Sequence, residues 1–154
     1  MPTIKPCLWF QSDAEAAANF YVSLVPNSRI AHVMRGGPGA DAPVIAVEFT
    51  LDGRPFTALN GRAAAGFTDA HSLVIPCESQ EEVDRYWDAL VDGGRAGQCG
   101  WLVDRFGVSW QVVPNALGRL LGDPEPARAN RVLHAMLGMQ KLDVRELERA
   151  RDGA

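Results

Sequence analysis

The sequence has few of the residues that build metal clusters and disulfide frameworks, and it has no long apolar run. Its 154 residues include three Cys and three His, without a CxxC pair. An odd cysteine count without paired spacing argues against a secreted disulfide framework, so we expect Cys7, Cys77 and Cys99 to be small buried residues or pocket linings. No apolar run is long enough to cross a bilayer, and the start, MPTIKPCLWF, has no signal-peptide core. We therefore expect a cytoplasmic protein without a membrane partner.

Long runs of positive charge are also missing. The arginines are scattered, and the formal net charge is -4, which argues against a nucleic-acid partner. Apolar residues make up 47% of the chain, enough to bury a core. The length predicts one domain over residues 1–154, or two small modules that share a core.

What the sequence does have is an internal repeat. Leu8–Ser28 and Val74–Gly94 align at one fixed offset, and each reads as a strand, a helix with an aromatic pair, and a turn. A second alignment, of Glu48–Leu59 with Leu102–Val113, reads as a strand, a turn ending in Gly, and a strand. Because both alignments occur in the same order, the chain is predicted to hold two copies of one βαβββ unit.

The repeat predicts an α+β fold, with two βαβββ modules that form a curved mixed sheet around a cup. Module 1 is expected at about 3–61, module 2 at about 70–114, and C-terminal helices at 115–151. Ser12 or Asp13 is expected to cap the first helix, and Ser79 with Glu82 matches a capping box at the second. The apolar stretch Val132–Met139 is expected to pack outside a sheet or against a second subunit, which favours a homodimer.

Side chains in a strand alternate between its two faces, and this predicts the lining of the cup. Thr57 shares a face with Leu59, and Ser109 shares one with Gln111. The first strand of each module is expected to add its odd-numbered residues, which are Lys5, Cys7 and Trp9 in module 1 and His71, Leu73 and Ile75 in module 2. Such a mixed aromatic and polar surface is typical of a small-molecule site.

Each candidate has a functional and a structural interpretation. His71 could titrate near neutral pH and act in catalysis, or it could be an ordinary strand histidine. Gln111 could orient a carbonyl, amide or hydroxyl group, or bond only to its neighbours. Trp9 and Trp101 could form an aromatic wall or belong to the core. The remaining predicted ligand contacts are Thr57, Leu59, Asn60 and Ser109, and Asp104 is expected to support the turn before Gly107.

The quoted segments resemble a known superfamily. The paired modules look like the vicinal oxygen chelate superfamily, which includes glyoxalase I, fosfomycin- and bleomycin-resistance proteins and extradiol dioxygenases. More specifically, LWFQSDAEAAANFY, VIPCESQEEVDRYWDALVDGG and CGWLVDRFGVSWQVVP resemble the PhnB-like group. That group is often labelled as a 3-demethylubiquinone-9 3-methyltransferase domain.

The resemblance also implies a place for a divalent metal. The superfamily's usual ligands correspond to Lys5, Thr57, His71 and Gln111 in this chain. A charged Lys cannot ligate a metal and Thr is a poor ligand, which leaves His71 and Gln111 as the metal candidates, with help from Cys7 or Asn60. Two neutral ligands are fewer than such sites need.

Three functions follow as hypotheses. The first is a small-molecule-binding protein without chemistry of its own and without a firmly predicted cofactor. The second is a metal-dependent lyase, isomerase or dioxygenase. The third is the methyltransferase of the group's label. The Gly-rich segment RGGPGAD runs into a strand and opens no helix, which argues against a methyl-donor site there.

Overall fold

A computed structural model describes residues 4–62 and 66–154 of the chain. The chain divides into two compact units, Met1–Gly66 and Phe67–Ala154. Each unit contains one βαβββ module, and the second unit also contains the C-terminal helices. No helix among the described residues is both long and apolar enough to span a bilayer.

Unit 1 is a four-stranded sheet with one helix. Its elements are β1 (Cys7–Phe10), α1 (Ala14–Leu24), β2 (Arg29–Arg35), β3 (Val44–Leu51) and β4 (Arg54–Asn60). The strand order is β1-β4-β3-β2, and β1 pairs parallel to β4 while the other pairs are antiparallel. Phe49 and Phe56 stack at 5.5 Å on the face that α1 covers.

Local signals explain how these elements begin and end. Asp13 is the N-cap residue of α1, as expected, but Asn60 Oδ1 is the acceptor for the Ala14 N–H, at 2.9 Å. The β3–β4 hairpin turns at Asp52 and Gly53, whose φ angles of 48° and 71° are both left-handed. This is the backbone that an Asp-Gly turn predicts.

Unit 2 repeats the same topology. Its elements are β5 (Leu73–Cys77), α2 (Gln80–Val91), β6 (Arg95–Ala96), β7 (Trp101–Val103), β8 (Ser109–Pro114), α3 (Asn115–Leu121), α4 (Pro126–Leu137) and α5 (Val144–Asp152). The order β5-β8-β7-β6 matches that of unit 1, strand for strand. Half of the predicted capping box of α2 is present, because Ser79 Oγ accepts from the Glu82 N–H. The Glu82 carboxylate accepts from the Glu78 N–H, one residue before the N-cap.

The three C-terminal helices build a small core of their own. That core consists of Leu117, Leu120, Val132, Leu142 and Leu147. Val132 is fully buried between the helices, with Met136 and Met139 partly buried beside it. The stretch Val132–Met139 therefore packs with α3 and α5, rather than on the outside of a sheet as the sequence suggests.

Candidate functional site

The sheet of unit 2 has one face under α2 and one face turned away from it, which we call the far face of unit 2. Trp110 and Val112 are buried on the α2 side. Ser109 and Gln111 alternate with them and so belong to the far face. Trp101 lies opposite Gln111 in the register of β7 and β8, so it shares that face. The predicted sharing of a face by Ser109 and Gln111 is thus seen in the structure, and Trp101 joins them. Their role as ligand contacts stays a prediction.

The expected contribution of β5 to this face is wrong by one residue. Val74 lies opposite Gln111, and Leu73 and Ile75 lie opposite Trp110 and Val112. Leu73 and Ile75 therefore point towards α2. His71 lies at an exposed bend two residues before β5, where strand alternation does not fix its direction.

Polar pairs connect the far face of unit 2 to the segment that precedes β5. Ser109 Oγ donates to Asp69 Oδ1 at 2.6 Å. Gln111 Nε2 donates to Ser72 Oγ at 2.9 Å. Ser72 thus occupies the place beside Gln111 that the sequence assigns to His71. The sequence interpretation missed Asp69, which lies before the predicted strand, and Ser72, which the predicted alternation placed on the opposite face of that strand.

A groove of about 540 Å³ runs along this face. Its lining includes an anionic, a cationic and an aromatic side chain; the residues are Asp69, Arg95, Gly97, Gln98, Cys99, Trp101, Leu102 and Val103. Arg95 lies opposite Val103 in the register of β6 and β7, which places it at the edge strand of the sheet. The groove can therefore offer charge of either sign beside an aromatic surface.

Asp104 holds the turn before Gly107, as expected. Its side chain is 3% exposed. Oδ1 accepts from the backbone N–H groups of Phe106 and Val108, and Oδ2 accepts from Trp110 Nε1 at 2.8 Å. This fixes the hairpin that carries Ser109 and Gln111.

The far face of unit 1, turned away from α1, carries the predicted residues of module 1. Cys7 lies opposite Thr57, and Trp9 lies opposite Leu59, so the four share one face. The expected alternation is thus confirmed in this unit. Glu48 joins the face because it lies opposite Thr57 in the register of β3 and β4.

An ion pair dominates the electrostatics of that face. Lys5 Nζ donates to Glu48 Oε1 at 2.7 Å. The hydrogen bond and the charge of Lys5 hold the pKa of the Glu48 carboxyl below its usual value. His32, opposite Glu48 in the register, adds to that lowering.

Asn60 and Gly61 serve the fold of unit 1. Asn60 accepts from the Ala14 N–H and donates from Nδ2 to the Val44 carbonyl at 3.1 Å. The indole of Trp9 packs on Gly61, where a Cβ would lie 1.8 Å from Nε1. Both residues therefore contribute to the packing of unit 1, and the Asn60 amide is occupied by backbone groups.

The three cysteines lie in different surroundings. Cys7 is exposed, Cys77 is buried, and Cys99 lines the groove. Burial raises the pKa of the Cys77 thiol to about 11. Cys77 is thus a core residue in its neutral form.

The residues at the positions expected for a metal do not fit one. Lys5 is an ammonium group already bonded to Glu48, and the amide of Gln111 bonds to Ser72. Across residues 4–62 and 66–154, no three or more His, Cys, Asp or Glu side chains come together in a way that could hold a metal ion.

The two four-stranded modules define a protein of the glyoxalase/bleomycin resistance class, the vicinal oxygen chelate fold. Comparison with solved structures agrees. The alignment with the fosfomycin resistance protein FosX from Mesorhizobium loti covers 73% of this chain and 90% of the FosX chain. Its TM-score is 0.51, and the sequence identity is 10%. A protein from Pseudomonas aeruginosa covers 74% and 98%, with a TM-score of 0.62 at 19% identity. At such identities the likeness concerns the fold alone.

Sequence comparison gives the family. The profile of the 3-demethylubiquinone-9 3-methyltransferase family matches residues 2–113. A PhnB protein from Bacillus cereus that carries the same name is 35% identical, with a TM-score of 0.66, and covers 73% of this chain and 99% of its own. A search among curated proteins finds no significant match. The chain belongs to the PhnB-like 3-demethylubiquinone-9 3-methyltransferase family, and its C-terminal helices follow the matched segment.

Proposed function

We propose that this protein binds a small organic molecule in the groove on the far face of unit 2. The observation that carries the proposal is the groove itself, which has Trp101, Asp69 and Arg95 in one lining. A planar ligand would stack on the indole, and its polar groups would bond to Asp69 or Arg95. Binding of this kind needs no metal. This agrees with the residues at the expected metal positions, which do not fit a metal ion.

The chemistry of the lining narrows the ligand class. Asp69 belongs to the lining and accepts from Ser109. Gln111, opposite Trp101 in the register, donates to Ser72, so polar groups lie next to the aromatic surface. A phenol, quinol or aromatic acid offers both a flat ring and a hydrogen-bonding oxygen. The family's name contains a ubiquinone, and the reduced form of a ubiquinone is a quinol of this class, which supports a short-tailed ubiquinol analogue as the first probe.

Titration calorimetry with that analogue and with 4-hydroxybenzoate tests the proposal. Trp101→Ala should weaken binding about tenfold, since a lost aromatic contact is worth about 1.4 kcal/mol. Arg95→Gln should weaken binding of the acid more than that of the quinol. Arg54→Gln, a matched change at an exposed arginine at the start of a strand, should leave both unchanged. Equal affinity in wild type and Trp101→Ala would reject this groove as the site.

The methyltransferase in the family's name is a separate activity. In this structure the Gly-rich segment 36–43 joins β2 to β3, and a strand rather than a helix follows it. That segment does not form the turn before a helix N-terminus that nucleotide-like cofactors use. Titration with S-adenosylmethionine is the direct test, and stoichiometric binding would favour methyl transfer over simple binding.

The residues on the far face of unit 1 remain predicted contacts. Trp9, Thr57 and Leu59 present the same mixture of aromatic, hydroxyl and apolar groups. Thr57→Val keeps the shape and removes the hydroxyl. A loss of affinity in that variant would add unit 1 to the binding surface. His71→Ala tests the remaining catalytic and binding candidate in the same assay.

We also propose that the protein is a homodimer. Leu133 and Leu137 of α4 are 39% and 57% exposed, and they lie one helical turn apart on one surface. Light scattering after gel filtration should give twice the chain mass of 16.7 kDa. Leu137→Glu should return the mass to one chain, and an unchanged dimer would exclude this surface. The cytoplasmic location remains a prediction.

A further inference from the structure

The wall of the groove is tied to the C-terminal helices. Residues 97–99 line the groove. The Cys99 N–H donates to the Met139 carbonyl at 2.8 Å, and the Gly100 N–H donates to the Gln140 carbonyl at 2.7 Å. Both acceptors belong to the connection between α4 and α5, residues 138–143, which we call the strap.

The geometry at Gly100 makes this contact tight. Its φ is +84°, and a Cβ there would lie 2.7 Å from the Val112 carbonyl oxygen and 3.0 Å from Leu142 Cδ1. Leu142 is fully buried. The Gly100 carbonyl in turn accepts from the Val112 N–H of β8 at 2.8 Å. The strap therefore packs closely against the backbone at Gly100, and that backbone is hydrogen-bonded directly to β8.

The other side of the strap is held by α2. Gln80 Nε2 donates to the Leu142 carbonyl at 3.1 Å, and Gln80 Oε1 accepts from the Val144 N–H at 2.9 Å. Lys141 Nζ lies 2.9 Å from Asp84 and 3.6 Å from Asp88. One glutamine and one lysine thus fix the strap to the helix behind the sheet.

We propose that the strap positions the groove wall at 97–100 and so determines which ligands the groove accepts. The strap lies after residue 113, where the family match ends, so it is an addition to the shared module. A rigid wall keeps a binding site in one shape before the ligand arrives, and this favours ligands that match that shape. The proposal rests on the proposed function, because it concerns the same groove.

Gln80→Met tests this role, since it keeps the side-chain length and removes the amide bonds to the Leu142 carbonyl of the strap and to the Val144 N–H that follows it. Hydrogen exchange of the Cys99 and Gly100 amides, measured without ligand, reports on the wall itself. Affinities for 4-hydroxybenzoate and for the larger short-tailed ubiquinol analogue report on selectivity. Lys141→Met is the second variant, and Glu81→Gln, at an exposed neighbour on α2, is the control.

We expect Gln80→Met to accelerate exchange of both amides at least tenfold and to change the ratio of the two affinities at least threefold. Lys141→Met should act in the same direction, and Glu81→Gln should match wild type. Unchanged exchange in both strap variants would overturn the proposal, and so would faster exchange with an unchanged ratio. If neither probe binds wild type, the proposed function fails for these ligands, while the exchange data still decide whether the strap holds the wall.

Discussion

Asp104 is the residue on which the hairpin before β8 depends. A buried carboxylate that accepts three hydrogen bonds satisfies three donors at once, two from the turn and one from Trp110. Asp104→Ala would leave these donors without that acceptor, and the bonds from Val108 and Trp110 are buried. Since a buried donor left unsatisfied costs about 1–3 kcal/mol, we expect a loss of about 3 kcal/mol in the free energy of unfolding, measured with urea.

The control for Asp104 is an acidic residue with an exposed side chain. Asp41→Ala, in the loop between β2 and β3, should change the free energy of unfolding by less than about 0.5 kcal/mol. Trp110→Phe removes one of the three donors and should cost less than Asp104→Ala. An Asp104→Ala protein as stable as Asp41→Ala would show that the carboxylate does not hold the turn.

The cysteines differ in what folding does to their thiols. For Cys77, burial raises the pKa from 9.0 to about 11. Between these values the unfolded chain releases the thiol proton before the folded one does. This contribution to stability is therefore complete below pH 9 and is lost as the pH rises towards 11.

Labelling with iodoacetamide at pH 8 checks the order of reactivity. The thiolate is the reacting form, and Cys7 is exposed. We expect Cys7 to react first and Cys77 to react only after urea unfolds the chain. Cys7→Ser should remove the first phase and leave the rest unchanged. Equal rates at Cys7 and Cys77 in the folded protein would contradict the buried assignment.

Among the elements, the start of α1 is capped by a residue that is distant in the sequence. The acceptor for the Ala14 N–H is the side chain of Asn60, 46 positions later. Asn60 ends β4 and joins the helix start to the Val44 carbonyl of β3. Asn60→Ala removes both bonds, and loss of a helix cap costs about 1 kcal/mol. We expect a loss of about 1–2 kcal/mol in urea unfolding, with Asn60→Asp in between, because it keeps the acceptor and loses the donor. Equal stability of Asn60→Ala and wild type would reject this role.

The same scale shows where sequence reasoning about the faces stops. The connection from the first strand to the helix is residues 11–13 in unit 1 and residues 78–79 in unit 2. An alignment made on the helices therefore shifts by one residue in the strands. Since strand side chains alternate, that single residue exchanges the faces. Ser72 rather than His71 is therefore the counterpart of Lys5. The alternation of side chains within β5 could not reveal this shift, because it does not show which face is which.

At the scale of the whole chain, the repeat in the sequence predicts both topologies, because each copy carries the same order of strand, helix and turn signals. The partners of side chains were not predictable in this way. Asp69 lies outside any periodic element, and its bond to Ser109 depends on how the segment before β5 folds back. The packing of the C-terminal helices has no counterpart in the repeat, so the strap and its contact with Gly100 had no sequence signal.

The repeat makes its own prediction about stability. Gly53 and Gly107 end the equivalent hairpin turns of the two modules, with φ angles of +71° and +91°. A Cβ at Gly53 would lie 3.1 Å from Asn27 Nδ2, and a Cβ at Gly107 would lie 3.4 Å from Phe67 Cδ2. A side chain at either position would therefore strain the backbone. At Gly53 it would also crowd the Asn27 side chain.

We expect Gly53→Ala and Gly107→Ala each to lower the free energy of unfolding by about 1–2 kcal/mol, because an L residue pays about that much for a left-handed φ. Gly118 of α3 is the control, since a Cβ there meets no heavy atom within 4 Å outside the atoms of its own helical turn. Gly118→Ala should raise stability by about 0.5–1 kcal/mol through helix propensity. Urea unfolding of the three variants and of the double variant decides whether the two turns act alike. If only one of the two turn variants loses stability, the modules share a topology without sharing the energetics of their turns.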